Sequence, residues 1–278
     1  DTATTEIYTL SLHDALPILP IYLANHHRGF MHEWLRYQAF YLMEYWRMKH
    51  GEDMLGRVWR ESESHEDPIT AYKRIAGLSQ DQFNAEVWES ACHDITWDYP
   101  LGGYLRRIVD RQSEADRQTW YTHKTRLIAE NGYYRSYPDT VTADHGTEQN
   151  IAFTPHDYGY NAFQLSVPEG GTTVTAEFEG ITGDSRYRTV GDSKAGWRFG
   201  FVGVQGSWTP VYGDMGEATG TAPQASVSFT VPGGGLKQLW FVVSGAPTRH
   251  EPHVWDDDVG NDEEYPYRVK FVNTEVKN

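Results

Sequence analysis

The chain has 278 residues, and its 24 Lys and Arg against 39 Asp and Glu leave a formal charge of −15. That balance disfavours a nucleic-acid partner, because binding to phosphates draws most of its affinity from clustered Lys and Arg. Apolar residues make up 39 % with no run long enough to span a bilayer, and the single cysteine, Cys92, excludes an internal disulfide framework and a multi-thiolate metal site.

Residues 1–18, DTATTEIYTLSLHDALPI, resemble translated sequencing-adapter DNA and are expected to be unstructured, with Leu10, Leu12, Leu16 and Ile18 lacking a complementary apolar face. On this reading the domain begins near residue 19, and neither a signal peptide nor the true start of the gene can be read. The pair His13 and Asp14 then carries no catalytic weight. The remainder divides near residue 146. Up to residue 145 there are 7 of the 26 glycines and 9 of the 12 histidines, so the two halves call for different architectures. The expected fold is α+β, with a helical domain over 19–145 that ends in a β-hairpin and an antiparallel β-sandwich over 146–278.

The first expected helix runs from Phe30 to His50. Trp34, Gln38, Tyr41 and Tyr45 form one stripe, Leu35, Leu42 and Trp46 an adjoining one, and Gly51 is the stop. Asp67-Pro68 starts a second helix that Gly77 ends. Ser79 with Gln82 spells a capping box before a helix carrying Phe83, Val87, Trp88 and Ala91. A further helix is expected from Tyr104 to about Arg117. The period then shortens over Trp120 to Leu127, Asn131-Gly132 signals a type I′ turn, and Tyr133 to Tyr137 returns as the paired strand. Beyond Asn150 the pattern predicts strands at Ala162–Val167, Thr172–Phe178, Trp197–Val204, Ser226–Val231, Leu239–Ser244 and Tyr267–Val272, each bounded by Gly or Pro. Val174, Phe178, Phe199, Phe229, Trp240, Val242 and Phe271 are the expected core.

The run Tyr158-Gly159-Tyr160-Asn161, followed by LSVPEGGTTVTAEFEG, GWRFGFVGV, LWFVVSGAPT and YPYRVKF, together with ITWDYP at Ile95 to Pro100, resembles a family of secreted bacterial proteins allied to Svx and AvrXca-type virulence factors. The resemblance implies a secreted zinc metallopeptidase of the gluzincin kind, in which an HExxH helix supplies two histidines and a general base and a later helix supplies a glutamate ligand. His32-Glu33-Trp34-Leu35-Arg36 puts Arg where the second histidine belongs, and His65-Glu66-Asp67-Pro68-Ile69 ends in Ile. No HExxH is present. If Glu33 is the third ligand, the motif would fall at or before residues 1–18, and the chain would be an inactive fragment of a zinc hydrolase. Glu44 and Glu89 are weaker candidates for that ligand.

Other clusters carry weaker signals. His26, His27 and His32 are dense enough to suggest a transition metal, but adjacent His26 and His27 must point apart. His93 and Asp94, near Trp97-Asp98, could pair through an imidazole, though a hydrogen-bonded core turn is the expected arrangement, and Cys92 is expected to be buried and inert. In one acidic loop His253, Asp256, Asp257, Asp258, Asn261, Asp262, Glu263 and Glu264 crowd together. Asp256, Asp257, Asp258 and Asp262 could hold calcium, although the DxDxDG spacing is absent. Trp208, Tyr212 and Trp255 could stack on sugar rings. Two functions compete on these grounds: a fragment of a secreted zinc peptidase acting on protein or peptide, and a secreted protein that binds carbohydrate or protein through its sandwich, with no catalysis.

Overall fold

The structure, a computed structural model, describes residues 22–32, 35, 40–100, 123–139, 152–206, 208–252 and 261–277. Among the described residues, the helices that precede the strands include α1 (Phe40–His50), α2 (Met54–Glu61), α3 (Pro68–Ala76) and α4 (Gln80–Asp94). The strands are β1 (Leu127–Glu130), β2 (Tyr133–Ser136), β3 (Tyr160–Leu165), β4 (Thr173–Gly180), β5 (Gly196–Gln205), β6 (Thr209–Thr219), β7 (Gln224–Thr230), β8 (Gln238–Gly245) and β9 (Tyr267–Val272). They form two antiparallel sheets, ordered β1-β2-β9-β4-β7 and β3-β8-β5-β6. The fold is α+β with a β-rich C-terminal part.

The sheet with β5 and β8 is covered on both faces, which explains why GWRFGFVGV and LWFVVSG are apolar almost without interruption. Alternate residues enter different cores. Phe199, Phe201, Phe241 and Val243 pack with Val174, Phe178 and Tyr267 of the facing sheet. Val202, Val204, Trp240 and Val242 pack instead with Trp46, Phe83, Val87 and Trp88 of the helical layer. Trp88 donates its indole N–H to the carbonyl of Val242 at 3.2 Å, and Gly200 leaves room for its ring, since a Cβ there would come within 2.7 Å of it. Of the seven expected core residues, six are buried and Phe271 is partly buried near the end of β9.

Local signals behave as their chemistry requires. Asp67 accepts from the Thr70 amide at 2.8 Å, Gly77 closes α3 in the left-handed region at φ 70°, and Ser79 with Gln82 forms the complete capping box. Asn131 and Gly132 both have positive φ, as a type I′ turn demands. The hairpin expected to end the helical part pairs through β2 with β9 and so forms an edge of the five-stranded sheet. Three elements differ from expectation. The helix foreseen from Phe30 does not start there, and among the described residues it runs Phe40–His50. Residues 30–32 form a turn because the preceding segment is tied by backbone bonds to the loop around His156, and residues 33–34 and 36–39 lie outside the described residues. Helix α2 was not foreseen, since it is short and Gly56, a poor helix former, sits within its first turn. Strand β6 was hidden by Pro210, Gly213 and Gly216, residues tolerated on an edge strand with a register shift. The expected helix from Tyr104 to Arg117 and residues 1–18 lie outside the described residues, as do residues 120–122; of the strand foreseen from Trp120 to Leu127, the described part is extended with a single bridge at Thr125 and becomes a strand only at Leu127, where β1 begins.

Candidate metal centre

The segment over 22–32 makes one helical turn at 22–25 and then runs against the loop that leads into β3. Two interstrand-like bonds hold it there: the His156 amide donates to the His27 carbonyl at 2.7 Å, and the Tyr160 amide donates to the His26 carbonyl at 2.8 Å. The approach is so close that a Cβ on Gly159 would lie 1.9 Å from the His27 oxygen, and one on Gly29 would lie 2.2 Å from the Asp157 oxygen. Glycine is therefore required at both crossings. Backbone held this way sends the neighbouring histidines to opposite sides. The His26 ring lies against Tyr160 and His123, while His27 faces His156 and Asp139.

On the second side a buried polar cluster forms. The Asp262 carboxylate lies 3.0 Å from Nε2 of His32 and 4.0 Å from Nδ1 of His156. One donor atom from each of these three buried residues falls within 4.8 Å of the others. On its far edge, His156 turns Nε2 to the Asp139 carboxylate at 3.3 Å. Nε2 makes no well-aligned hydrogen bond there, but the carboxylate stands where a small ring rotation would let it set the tautomer and aim of a ligating imidazole. Around Asp139 stand His27 at 3.8 Å, Arg28 at 3.8 Å and Arg188 at 3.7 Å. Glu264 anchors the frame by accepting the amides of Asp139 at 2.7 Å and Arg188 at 2.8 Å.

Burial raises the Glu264 carboxyl and lowers the imidazoles of His27 and His156 to about 4. For Asp139, burial works upward, but His156 and His27 outweigh it and hold the carboxyl well below its usual range.

Two imidazoles and one carboxylate form a donor set that suits zinc and leave a coordination position open, as a catalytic ion requires. With its own Asp262 counted, the set and its neighbours Asp139, Glu264, Arg28 and Arg188 carry one net negative charge, which a divalent cation would offset. Arg28 is the competing group, since its Nη1 lies 2.9 Å from Nε2 of His32. The residues fit zinc provided that this guanidinium turns to Asp139, which it already approaches.

Of the residues singled out by sequence, His32 and Asp262 come together here, and the others scatter. Glu33 lies outside the described residues, as do Trp255, Asp256, Asp257 and Asp258. Glu44 pairs with Arg47 at 2.9 Å, and Glu89 takes Lys49 at 2.7 Å together with a short bond from Tyr45. Neither approaches the cluster through these contacts. In the acidic loop Asp262 and Glu264 turn inward and Glu263 pairs with Lys194. Trp208 sits at the β5–β6 turn with φ 85°. Tyr212 is exposed, stacks on His93 with centroids 4.9 Å apart, and donates to Asp98 at 2.9 Å. His93 bonds the Asp98 carbonyl at 2.6 Å, and the buried Cys92 thiol is raised by burial. His156 and Asp139 were missed. Each is an isolated residue in a loop, and only the fold brings them to His32.

A second cluster occupies the other side of the 22–32 segment. Asp94 is buried and accepts from Tyr22 and Tyr99 at 2.6 Å each and from Tyr160 at 3.1 Å. His123 joins it through the Tyr160 hydroxyl at 2.9 Å. The carboxyl borders a cavity of about 30 Å³, room for a water molecule.

Fold and site together define an α+β protein in which a helical layer and an antiparallel sandwich close around buried histidine–carboxylate clusters. The chain belongs to a family of unknown function (DUF6055), whose model matches residues 5–278 and so takes in part of the segment that the sequence set apart. No curated protein and no solved structure matches it.

Proposed function

We propose that the chain is a zinc-dependent hydrolase of the metallopeptidase-like kind, with His32, His156 and Asp262 as the metal ligands. The observation that carries this is the convergence of those three buried donors, with Asp139 behind His156. Nitrogen donors favour zinc over the calcium that the acidic loop suggested. When bound, such an ion supplies a water that ionises near neutral pH. The chain's own part is to hold the ligands, to orient His156 through Asp139, and to place the imidazole of His27 beside them as a proton acceptor. The ligand set departs from HExxH order, which distinguishes this reading from that of a fragment whose zinc motif is missing. A secreted location and a protein or peptide substrate belong to the proposal through the resemblance to the Svx and AvrXca-type proteins. Among the described residues no helix is long and apolar enough to cross a membrane.

The test is the zinc content of the purified chain, compared with Asp262→Asn and His156→Gln, alongside chelator-sensitive cleavage of casein. Stoichiometric zinc lost in both variants supports the site, and cleavage lost with it supports the hydrolase. Zinc content unchanged by either substitution refutes the ligand set.

A further inference from the structure

Away from the metal cluster, the β1–β2 hairpin, the end of β4 and the loop after it, and β9 enclose a cleft of about 520 Å³. That volume lies within the range of small-molecule sites. Its chemistry is unusual for such a cavity. Three guanidinium groups and three carboxylates line it, and each cation is held by an acid. Arg186 grips Asp184 through Nε at 3.0 Å and Nη2 at 2.5 Å, and Arg268 grips Glu179 through Nε at 3.1 Å and Nη2 at 2.8 Å. Arg268 also lies over the Tyr133 ring, 4.8 Å from its centroid.

Arg135 lies beneath them, only 7 % exposed, with Nη2 at 3.2 Å from Glu130. Its Nε and Nη1 have no hydrogen-bond acceptor, and Asp184, which could serve Nη1, stands 3.9 Å away because Arg186 holds it. Leaving charged donors buried and unsatisfied is costly, and burial without a reason to persist is uncommon in a native fold.

We infer that this cleft is a binding site for an acidic saccharide, a sugar whose carboxylate faces the arginines and whose hydroxyls donate to Glu130, Glu179 and Asp184. A carboxylate matches the planar fork of a guanidinium. The three acids in the wall and the chain's charge of −15 oppose a multiply charged phosphate or sulfate ester. Pre-set side chains lose little freedom on binding, and the apolar faces of Tyr133, Ile181 and Pro223 can cover the C–H side of a pyranose ring. The site uses none of the zinc ligands and stands whether or not the hydrolase proposal does. It is also separate from Trp208 and Tyr212.

The experiment titrates the full chain with glucuronate, glucose and acetate by calorimetry and by amide chemical shifts. Glucuronate should bind about tenfold more tightly than either of the others, because it alone joins the carboxylate to the hydroxyls. Arg186→Ala and Arg268→Ala, both at partly exposed side chains, should each weaken glucuronate by about tenfold while Trp59→Ala, on the helical layer, leaves it unchanged. A melting temperature near the parent's in each variant shows that folding is not the cause. Equal binding of glucose, equal binding of acetate, no binding of glucuronate, or affinity untouched by both arginine substitutions overturns the inference.

Discussion

Asp94→Asn should be a substitution whose effect on stability changes with pH. In the folded chain burial drives the Asp94 carboxyl from 3.8 up to about 7, and the hydrogen bonds from Tyr22, Tyr99 and Tyr160 recover only part of that shift. In the unfolded chain the group titrates near 3.9. Between about pH 4 and 7 the native state therefore holds a proton that the unfolded state has released, so this group's contribution falls as pH rises and levels off above 7. About three units at 1.36 kcal/mol each amounts to roughly 4 kcal/mol as an upper value.

Neighbouring His26 and His123 act in the opposite sense. Burial lowers both, His123 to about 3, so the folded state resists their protonation and loses stability as pH falls below 6.5. Both histidines remain in the variant, and the difference between the two proteins isolates Asp94. Urea midpoints measured from pH 5 to 8 should show the asparagine protein gaining on the parent as pH rises, by a few kcal/mol across the range. Parallel curves for the two proteins would refute a buried carboxyl that titrates near neutrality.

Gly159→Ala should destabilise by about 3 kcal/mol or more, because the new methyl meets backbone rather than a mobile side chain, and thermal melting reads the loss. Trp88→Ala should cost about 3–5 kcal/mol in chemical denaturation, since its ring is buried between α4 and the β5–β8 face and its N–H is bonded to Val242. Asp67→Ala removes the α3 cap and the 2.8 Å pairing with His250, for an expected loss of about 1–2 kcal/mol. Asp139→Asn should leave the three proposed ligands in place yet lower zinc affinity by about 10–100-fold in a competition assay with a chelator, as loss of an outer carboxylate does.

What local chemistry encodes could be read directly. The caps at Asp67 and Ser79, the stop at Gly77 and the Asn131-Gly132 turn each involve residues a few positions apart, and the structure keeps them all. Alternation along β4 exposed one buried face, whereas the continuous apolar runs of β5 and β8 read as strands without the cover that the structure places on both their faces. The divergence of His26 and His27 also follows from neighbouring residues alone. Partnership across the chain did not. In sequence Asp262 groups with Asp256, Asp257 and Asp258 as a calcium ligand rather than with the histidines, and His156 has no spacing to announce it, because His32, Asp139, His156 and Asp262 share no helix or strand period. Only the crossing of 26–29 over 157–159, permitted by Gly29 and Gly159, sets His32 against His156 and turns Asp262 from a surface charge into a buried one. The same holds for Asp94, whose unusual acidity comes from burial among three tyrosines, of which Tyr22 and Tyr160 lie 72 and 66 positions away. Burial is a property of the assembled fold, and the sequence by itself determined which residues could form its elements, not which charges those elements would enclose.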